Sequence, residues 1–273
     1  MTMPRVVCPS PVSSVDGNQS IGTLTHAGCR NTVVFSSASG GAGTSVFAAM
    51  VAWRLAQRKL QCALVDCDFA AGGIDVLLGI ENEPGLRFQT VDIPLGKTEG
   101  AALNGELPQW ERVGVLASQP WNGSDPEPWT VSAVLEALAQ ANDVVVVDIG
   151  APSALHSLPM LRQCRQVVLA ELTVLGLGAC SGRARAMMIR QGESRPIMVG
   201  VVPRGLSRRG GVVDAHEASE YLHEELAGVV APDRGLHGDV LEGLGIRAIG
   251  KSSRKAVDAV VGAIETGLGG DVP

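Results

Sequence analysis

Aromatic residues are scarce in this sequence of 273 residues: they make up 3% of it, whereas hydrophobic residues of all kinds make up 45%. A hydrophobic core must therefore be built from valine, leucine, alanine and isoleucine. Such a composition favours a parallel sheet covered by helices over an all-β sandwich. The length suits one α/β domain with a large core and a short leader.

Long apolar runs and paired cysteines are also absent. No run approaches the ~20 residues that a helix needs to span a bilayer, and the start of the sequence lacks the apolar segment of a signal peptide. The six cysteines show no C-x-x-C spacing, so we expect reduced thiols rather than a disulfide framework or a metal site. The net charge of −6 argues against a nucleic-acid partner. We therefore expect a cytoplasmic protein.

What the sequence does contain is a glycine-rich stretch, Ser39–Ser45. It follows an apolar run at 32–36 that predicts a buried strand, and it precedes an alanine-rich segment at 46–59 that predicts a helix. In this order of strand, glycine-rich turn and helix, backbone N–H groups converge on a phosphate at the N-terminus of the helix. The glycines permit positive φ angles and a close approach of the backbone to the ligand.

The stretch departs from the strict phosphate-loop (P-loop) pattern, which requires Gly, four residues and then Gly-Lys-Ser/Thr. Gly43 and Ser45 match, but Ala38 replaces the first glycine and Thr44 replaces the lysine. We therefore expect a backbone cradle for phosphate and a hydroxyl for Mg²⁺, without a cation from the loop itself. The alternative is a glycine-rich turn that binds no ligand.

Aspartates end two other apolar runs. Asp66 and Asp68 end a predicted strand at 61–68, and Asp148 ends a strand at 144–148 whose four consecutive valines predict burial on both faces. Ligands bind at the carboxyl ends of strands in open α/β sheets, so we expect these acids near the glycine-rich stretch. Asp148 fits the Walker B arrangement, in which an acid at the end of a buried strand holds Mg²⁺ through water. The alternative is a strand that merely ends in aspartate.

The remaining chain continues the alternation of strands and helices that is typical of a mostly parallel, twisted β-sheet flanked by helices. Further strands are predicted at 113–117, 166–173, 196–202 and 229–231. Further helices are predicted at 129–141, 176–191, 214–227, 239–244 and 252–268. We expect a flexible leader over residues 1–30 with a short strand near 21–24, a single domain over 31–268 and a tail over 269–273.

Three features carry further expectations. The glycine-rich residues 69–79 predict a mobile switch next to the acids. Trp110, Trp121 and Trp129 lie in or beside a loop at 118–128, and we expect them to pack over the sheet edge rather than to form a partner surface. The apolar face of the last predicted helix lacks large aromatics, which favours docking on its own domain over binding to a membrane.

In their order and spacing, these motifs resemble the MinD/ParA group of P-loop ATPases, and within it the CpaE/TadZ branch, which includes proteins called septum site-determining. The resemblance covers residues 32–263, nearly the whole predicted domain. Its markers are Ser39–Ser45, Leu64–Asp68, Asp75–Gly79, Val144–Asp148 with Ala151 and Pro152, and Val201–Arg204. It implies the P-loop NTPase fold of that group.

The resemblance implies ATP or ADP, together with Mg²⁺, as ligands. The residues that it assigns to the nucleotide are Gly40, Gly41, Ala42, Gly43, Thr44, Ser45, Val46, Pro203 and Arg204. It assigns Mg²⁺, bound in part through water, to Ser45, Asp66 and Asp148. Asp68 matches the acid that positions the attacking water. Pro203 and Arg204 stand where the group usually places Asn-Arg beside the adenine.

Both lysines that are characteristic of the group are replaced. The signature lysine, which reaches across a dimer to the partner's nucleotide, would lie at Ser39, and the ordinary loop lysine would lie at Thr44. A cation supplied to the transition state of phosphoryl transfer is worth about 10³–10⁵ in rate. We therefore expect slow or no hydrolysis.

The resemblance also implies a role and partners. We expect an ATP-binding localisation factor that acts in pilus assembly and secretion or at the division septum. It would form a nucleotide-dependent homodimer and bind proteins of those machineries. Contact with the inner face of the membrane, at a pole or the septum, would be at most peripheral.

Three alternative functions are compatible with the sequence. A nucleotide-free scaffold results if the missing lysines abolish binding. An active ATPase needs a cation from elsewhere, such as Arg204, Arg208 or Arg209. A Rossmann-type dinucleotide enzyme is suggested by the glycines of the stretch with Asp66 about twenty residues further on, although Val46 replaces the third glycine of that pattern.

Overall fold

The computed structural model describes residues 24–92, 99–191, 195–206 and 210–269. Within these ranges, eight strands form one sheet. The strands are β1 (Thr32–Ser37), β2 (Cys62–Asp66), β3 (Gln109–Trp110), β4 (Val113–Leu116), β5 (Val144–Asp148), β6 (Arg165–Glu171), β7 (Ile197–Val201) and β8 (Leu226–Val230). The helices are α1 (His26–Arg30), α2 (Thr44–Gln57), α3 (Ile74–Leu78), α4 (Gly100–Gly105), α5 (Pro128–Ala141), α6 (Ala154–Ser157), α7 (Val174–Gln191), α8 (Ala215–Leu222), α9 (Arg234–Leu241) and α10 (Lys251–Leu268).

The sheet confirms the predicted α/β architecture. Its strands lie in the order β3-β4-β2-β5-β1-β6-β7-β8, and every neighbouring pair is parallel except β3 with β4. Strand β5 lies between β1 and β2, so that Asp148 is paired with Phe35 on one side and with Asp66 on the other. The carboxyl ends of β1, β2 and β5 therefore meet at one edge of the sheet.

Burial on both faces explains why the central strands are continuously apolar. Every residue of β5 is buried. Val144 and Val146 pack into a core formed with α2 and α10, whereas Val145 and Val147 pack into the core on the opposite face with α5 and α7. The predicted docking of the last helix on its own domain is thereby confirmed. Among the described residues, no helix combines the length and the apolar character that crossing a membrane requires.

The predicted strands are confirmed with small shifts of their ends, but two predicted helices are corrected. The helix predicted at 214–227 stops at Leu222, because His223 adopts a φ angle of 56° and the chain then enters β8, which pairs with β7. The helix predicted at 239–244 is instead α9, which begins at Arg234. Its start is fixed by Asp233, whose carboxylate accepts hydrogen bonds from the two backbone N–H groups of Gly235 and Leu236.

The tryptophans do not share one role. Trp110 is buried and packs against Trp53, with ring centroids 5.5 Å apart. Trp121 and Trp129 are 63% and 43% exposed, so the predicted packing over the sheet edge is confirmed for Trp110 and wrong for the other two.

Short helices lie in the segment predicted to be a mobile switch and in the segment predicted to be a flexible leader. Helix α3 lies within the glycine-rich segment 69–79, and α1 lies within the predicted leader. The strand predicted near 21–24 falls outside the described residues except for Leu24, which is buried.

A buried ion pair fastens α3 to the loops around it. The Nε of Arg87 donates to Asp75 at 2.8 Å, and the two side chains are only 7% and 0% exposed. The guanidinium also donates to the carbonyl oxygens of Ile80 and Glu83, and Gln119 Nε2 donates to Asp75 at 2.9 Å. The buried carboxylate and guanidinium therefore have hydrogen-bond partners and opposite charges beside them, which burial away from water requires.

Replacing Arg87 with methionine leaves the Asp75 carboxylate buried without its cation. Breaking a buried ion pair costs about 3–5 kcal/mol, so we expect Arg87→Met to lower the free energy of unfolding by about that amount in urea denaturation. The matched control is Arg247→Met, which breaks an ion pair with Asp239 whose side chains are 63% and 23% exposed. Water and salt screen an exposed pair, so its loss should lower the free energy of unfolding much less. Equal losses for the two variants would contradict this account.

Candidate nucleotide-binding site

The glycine-rich stretch joins the end of β1 to the start of α2, as the sequence predicts. Gly41 and Gly43 have φ angles of 77° and 82°, a region that other residues enter only with strain. Gly43 occupies the N-cap of α2 and offers no side chain to bind the first N–H groups of this 14-residue helix. A helix start left in this state provides backbone donors and a partial positive charge to an anion.

The glycines also leave space in front of the helix. A Cβ atom added at Gly40, Gly41 or Gly43 would meet no heavy atom within 4 Å. A cavity of 540 Å³ lies there, bounded by residues 40–46, Asp66, Asp68, Gly150 and Arg204. The structure thus brings the predicted loop and two predicted acids to the walls of one cavity.

Asp66 lies at the end of β2 and is almost fully buried. Its carboxylate accepts hydrogen bonds from the backbone N–H groups of Asp68 at 3.1 Å, Ile74 at 3.2 Å and Ser118 at 3.4 Å. Burial, reinforced by the charge of Asp148, raises the pKa of Asp66 to about 8 in spite of these donors. A cation bound nearby would favour the ionised form.

Asp148 lies beside Asp66, at the end of β5. Burial raises the pKa of Asp148, whereas hydrogen bonds from the Ser45 hydroxyl and from the backbone N–H of Gly150 lower it; the bond from Gly150 measures 2.9 Å. The contact with Ser45 joins the start of α2 to the end of β5. It therefore brings together two of the residues to which the sequence assigned Mg²⁺.

This donor set fits Mg²⁺. A hydroxyl and carboxylates are hard oxygen ligands, and Mg²⁺ is usually bound by one or two carboxylates, with water and phosphate oxygens completing its shell. Within the described residues, no group of three or more His, Cys, Asp and Glu side chains is placed to hold a metal by itself. Ser45 and Asp148, with Asp66 beside them, would hold Mg²⁺ next to a bound phosphate.

Asp68 follows β2 and also lines the cavity. Its Oδ1 accepts a hydrogen bond from the backbone N–H of Ala71 at 3.1 Å. Its Oδ2 lies against Gly150, where an added Cβ would overlap the carboxylate. Gly150, the second residue after β5, therefore sets how closely Asp68 approaches the end of that strand.

The positions of the two missing lysines hold small hydroxyl side chains. Thr44 is 6% exposed. The Oγ of Ser39 is buried and has no hydrogen-bond partner among the described residues. An unsatisfied polar atom in a binding loop fits a site whose ligand completes its hydrogen bonds.

A second cavity, of 240 Å³, extends from the loop to the carboxyl ends of β7 and β8. Pro203 and Arg204, which the family resemblance assigns to the base, line it together with side chains of α9. Asp233 and His237 also lie in this wall, and neither was predicted from the sequence. Asp233 could have been found, because it is the N-cap of α9 and aspartate is a preferred N-cap residue. Arg208 and Arg209 lie outside the described residues.

The chain matches no protein-family model. It is 35% identical over 121 residues to two uncharacterised proteins of Mycobacterium tuberculosis, one from strain CDC 1551 / Oshkosh and one from strain ATCC 25618 / H37Rv. The match covers 44% of this chain and 33% of those proteins, so this chain accounts for about a third of the length of these relatives.

The chain is similar to a ParA family ATPase from Chlorobium tepidum TLS, with a TM-score of 0.66 and 18% identity over 85% of this chain and 98% of that one. The MinC:MinD cell division complex of Aquifex aeolicus gives a TM-score of 0.65 at 16% identity, with 89% and 98% covered. The septum site-determining protein MinD with Mg-ADP from Pyrococcus horikoshii OT3 gives 0.58 at 17% identity, with 84% and 94% covered. At these identities the likeness establishes the fold, which is that of the ParA/MinD P-loop ATPases.

The absence of a side chain at Gly150 allows the Asp68 carboxylate to lie against it. A substitution at Gly150 tests this contact. Gly150→Ala introduces a side chain at a φ angle of 58° and forces the Asp68 carboxylate away from its bond to Ala71. Gly243→Ala is the control, because it has a φ angle of 72° and open space around the added Cβ.

Both substitutions place a Cβ atom on a residue in the left-handed conformation, which destabilises the fold by about 1–2 kcal/mol. We expect Gly150→Ala to lose about 1 kcal/mol more in urea denaturation, which is the net value of a typical hydrogen bond. The same loss in both variants would show that Asp68 is not held against Gly150.

Proposed function

We propose that this chain is an ATP-binding localisation factor of the MinD/ParA type, with slow or no hydrolysis. The observation that carries the proposal is the cavity at the sheet edge. It combines an uncapped helix start, a serine bonded to a Walker B aspartate, and two further acids, with no lysine in the loop.

Each residue has a defined task in this proposal. The backbone N–H groups of Gly41 to Val46 bind the phosphates, and Pro203 lies beside the base. Ser45 and Asp148, with Asp66, hold Mg²⁺, which neutralises phosphate charge when it is bound. Asp68 positions the water for any residual hydrolysis. Because neither Ser39 nor Thr44 supplies a cation, the transition state lacks most of the stabilisation that P-loop enzymes give it.

The finer assignment rests on the two lysine positions. Their replacement by Ser39 and Thr44 supports a place in the CpaE/TadZ branch, with a role in positioning pilus and secretion machinery or the division septum. We further propose a nucleotide-dependent homodimer in the cytoplasm, with peripheral membrane contact at most. Support for a positioning role comes from the names of the structural neighbours. They include a ParA family ATPase and a complex of the cell division proteins MinC and MinD.

The dinucleotide-enzyme alternative finds no support in the topology. In a Rossmann sheet the first two strands of the chain are neighbours. Here β5 separates β1 from β2, which places Asp148 rather than Asp66 directly beside the loop strand.

Equilibrium binding of Mg-ATP, measured by calorimetry, tests the proposal. We expect the wild-type chain to bind in the micromolar range. Asp148→Ala, which removes the Walker B acid and its bond to Ser45, should abolish detectable binding. Thr44→Lys restores the loop lysine, and a charged hydrogen bond to phosphate should raise the affinity by about tenfold or more.

The outcomes separate the proposal from the scaffold alternative. Failure of the wild-type chain to bind at millimolar ATP would overturn the proposal and leave a nucleotide-free scaffold. Turnover at the rate of an ordinary ATPase in the same samples would overturn the claim of slow hydrolysis and indicate an active enzyme.

A further inference from the structure

Arg204 lies at the junction of the two cavities. It follows the end of β7, at the same edge of the sheet as the acids, between Pro203 and a glycine, Gly205, with a φ angle of 78°. Both the 540 Å³ cavity at the loop and the 240 Å³ cavity beneath α9 are lined by Arg204. Gly41 and Gly43 also line both cavities, so the guanidinium and the loop border the same space.

The acidic residues around the loop cavity explain why the position of Arg204 matters. Asp66 and Asp68 line the cavity, and Asp148 lies beside Asp66 on the neighbouring strand. Among the described residues that line it, Arg204 alone carries a positive charge. A polyphosphate that enters this space meets carboxylates on one side, and a single arginine is available to offset them.

His237 orients the arginine. The Nη1 of Arg204 lies 3.1 Å from Nε2 of His237 on α9. A guanidinium only donates hydrogen bonds, so Nε2 is the acceptor, and the proton of the neutral imidazole lies on Nδ1. His237 is fixed in turn by α9, whose first turn is capped by Asp233. With Nη1 held in this way, the remaining N–H groups of the guanidinium are available for a ligand.

We propose that Arg204 binds the β- and γ-phosphates of the bound nucleotide and replaces the missing loop lysine in binding, not in hydrolysis. Its planar fork of donors suits phosphate oxygens, which it can bind in a bidentate manner. The inference rests on the proposed function, and it changes the role that the family resemblance gives this position, from a contact with the base to a contact with the phosphates. Arg204 then sets the preference of the site for ATP and ADP over AMP.

The test is a set of binding measurements on the full chain with Mg²⁺ and ATP, ADP, AMP or adenosine. Arg204→Gln removes the charge, and Arg204→Lys keeps it. Arg195→Gln is the matched control, because Arg195 lies before the opposite end of the same strand, its side chain is 74% exposed, and it pairs with Glu224. It removes one positive charge at the edge of the sheet remote from the cavities.

We expect Arg204→Gln to weaken ATP and ADP by about tenfold to a hundredfold, the range for a hydrogen bond to a charged group, and to leave AMP and adenosine within about twofold. Arg204→Lys should retain part of the affinity for ATP, and Arg195→Gln should bind as the wild type does.

Equal weakening of all four ligands by Arg204→Gln would place Arg204 at the base or ribose and overturn the inference. Unchanged affinities would also overturn it, while leaving the proposed function intact. If the wild-type chain binds none of the four ligands, the proposed function fails, and the inference fails with it.

Discussion

The insertion of β5 between β1 and β2 is the constraint on which the candidate site depends. Parallel pairing in this register aligns Asp148 with both Phe35 and Asp66, so the two aspartates lie side by side where the glycine-rich loop leaves β1. Apolar layers cover β5 on both faces, so a slip of this register would draw the Asp148 carboxylate into the core, where a charge without partners is costly. The polar edge is therefore positioned by the apolar core beneath it.

Such an edge is electrostatically unfavourable without a ligand. Burial raises the pKa of both Asp66 and Asp148, and the first turn of α2 lacks a side-chain cap. Bound Mg²⁺ would stabilise the ionised carboxylates, and a bound phosphate would accept hydrogen bonds from the N–H groups at the start of α2. In an ordinary P-loop a lysine also offsets the negative charge of the phosphates. Here Ser39 and Thr44 stand at the lysine positions and carry no charge. Arg204, held by His237, lies where a substitute charge is needed.

Local patterns made much of this predictable from the sequence. The four valines before Asp148 predicted a buried central strand, and the rule that ligands bind at the carboxyl ends of parallel strands predicted that Asp66 and Asp148 would meet near the loop. The features that escaped prediction depend on packing between distant segments. The pairing of Asp75 with Arg87 and the meeting of Arg204 with His237, 33 residues apart, leave no periodic signal, and the early end of α8 follows from the pairing of β8 with β7.

The most direct test of this account is amide hydrogen exchange over residues 40–46, measured with and without Mg-ATP. The central claim is that backbone N–H groups hold the phosphates without help from a loop lysine. It predicts that bound nucleotide slows exchange at Gly41, Gly43, Thr44 and Ser45. Unchanged exchange at these amides under conditions where ATP is bound would contradict it.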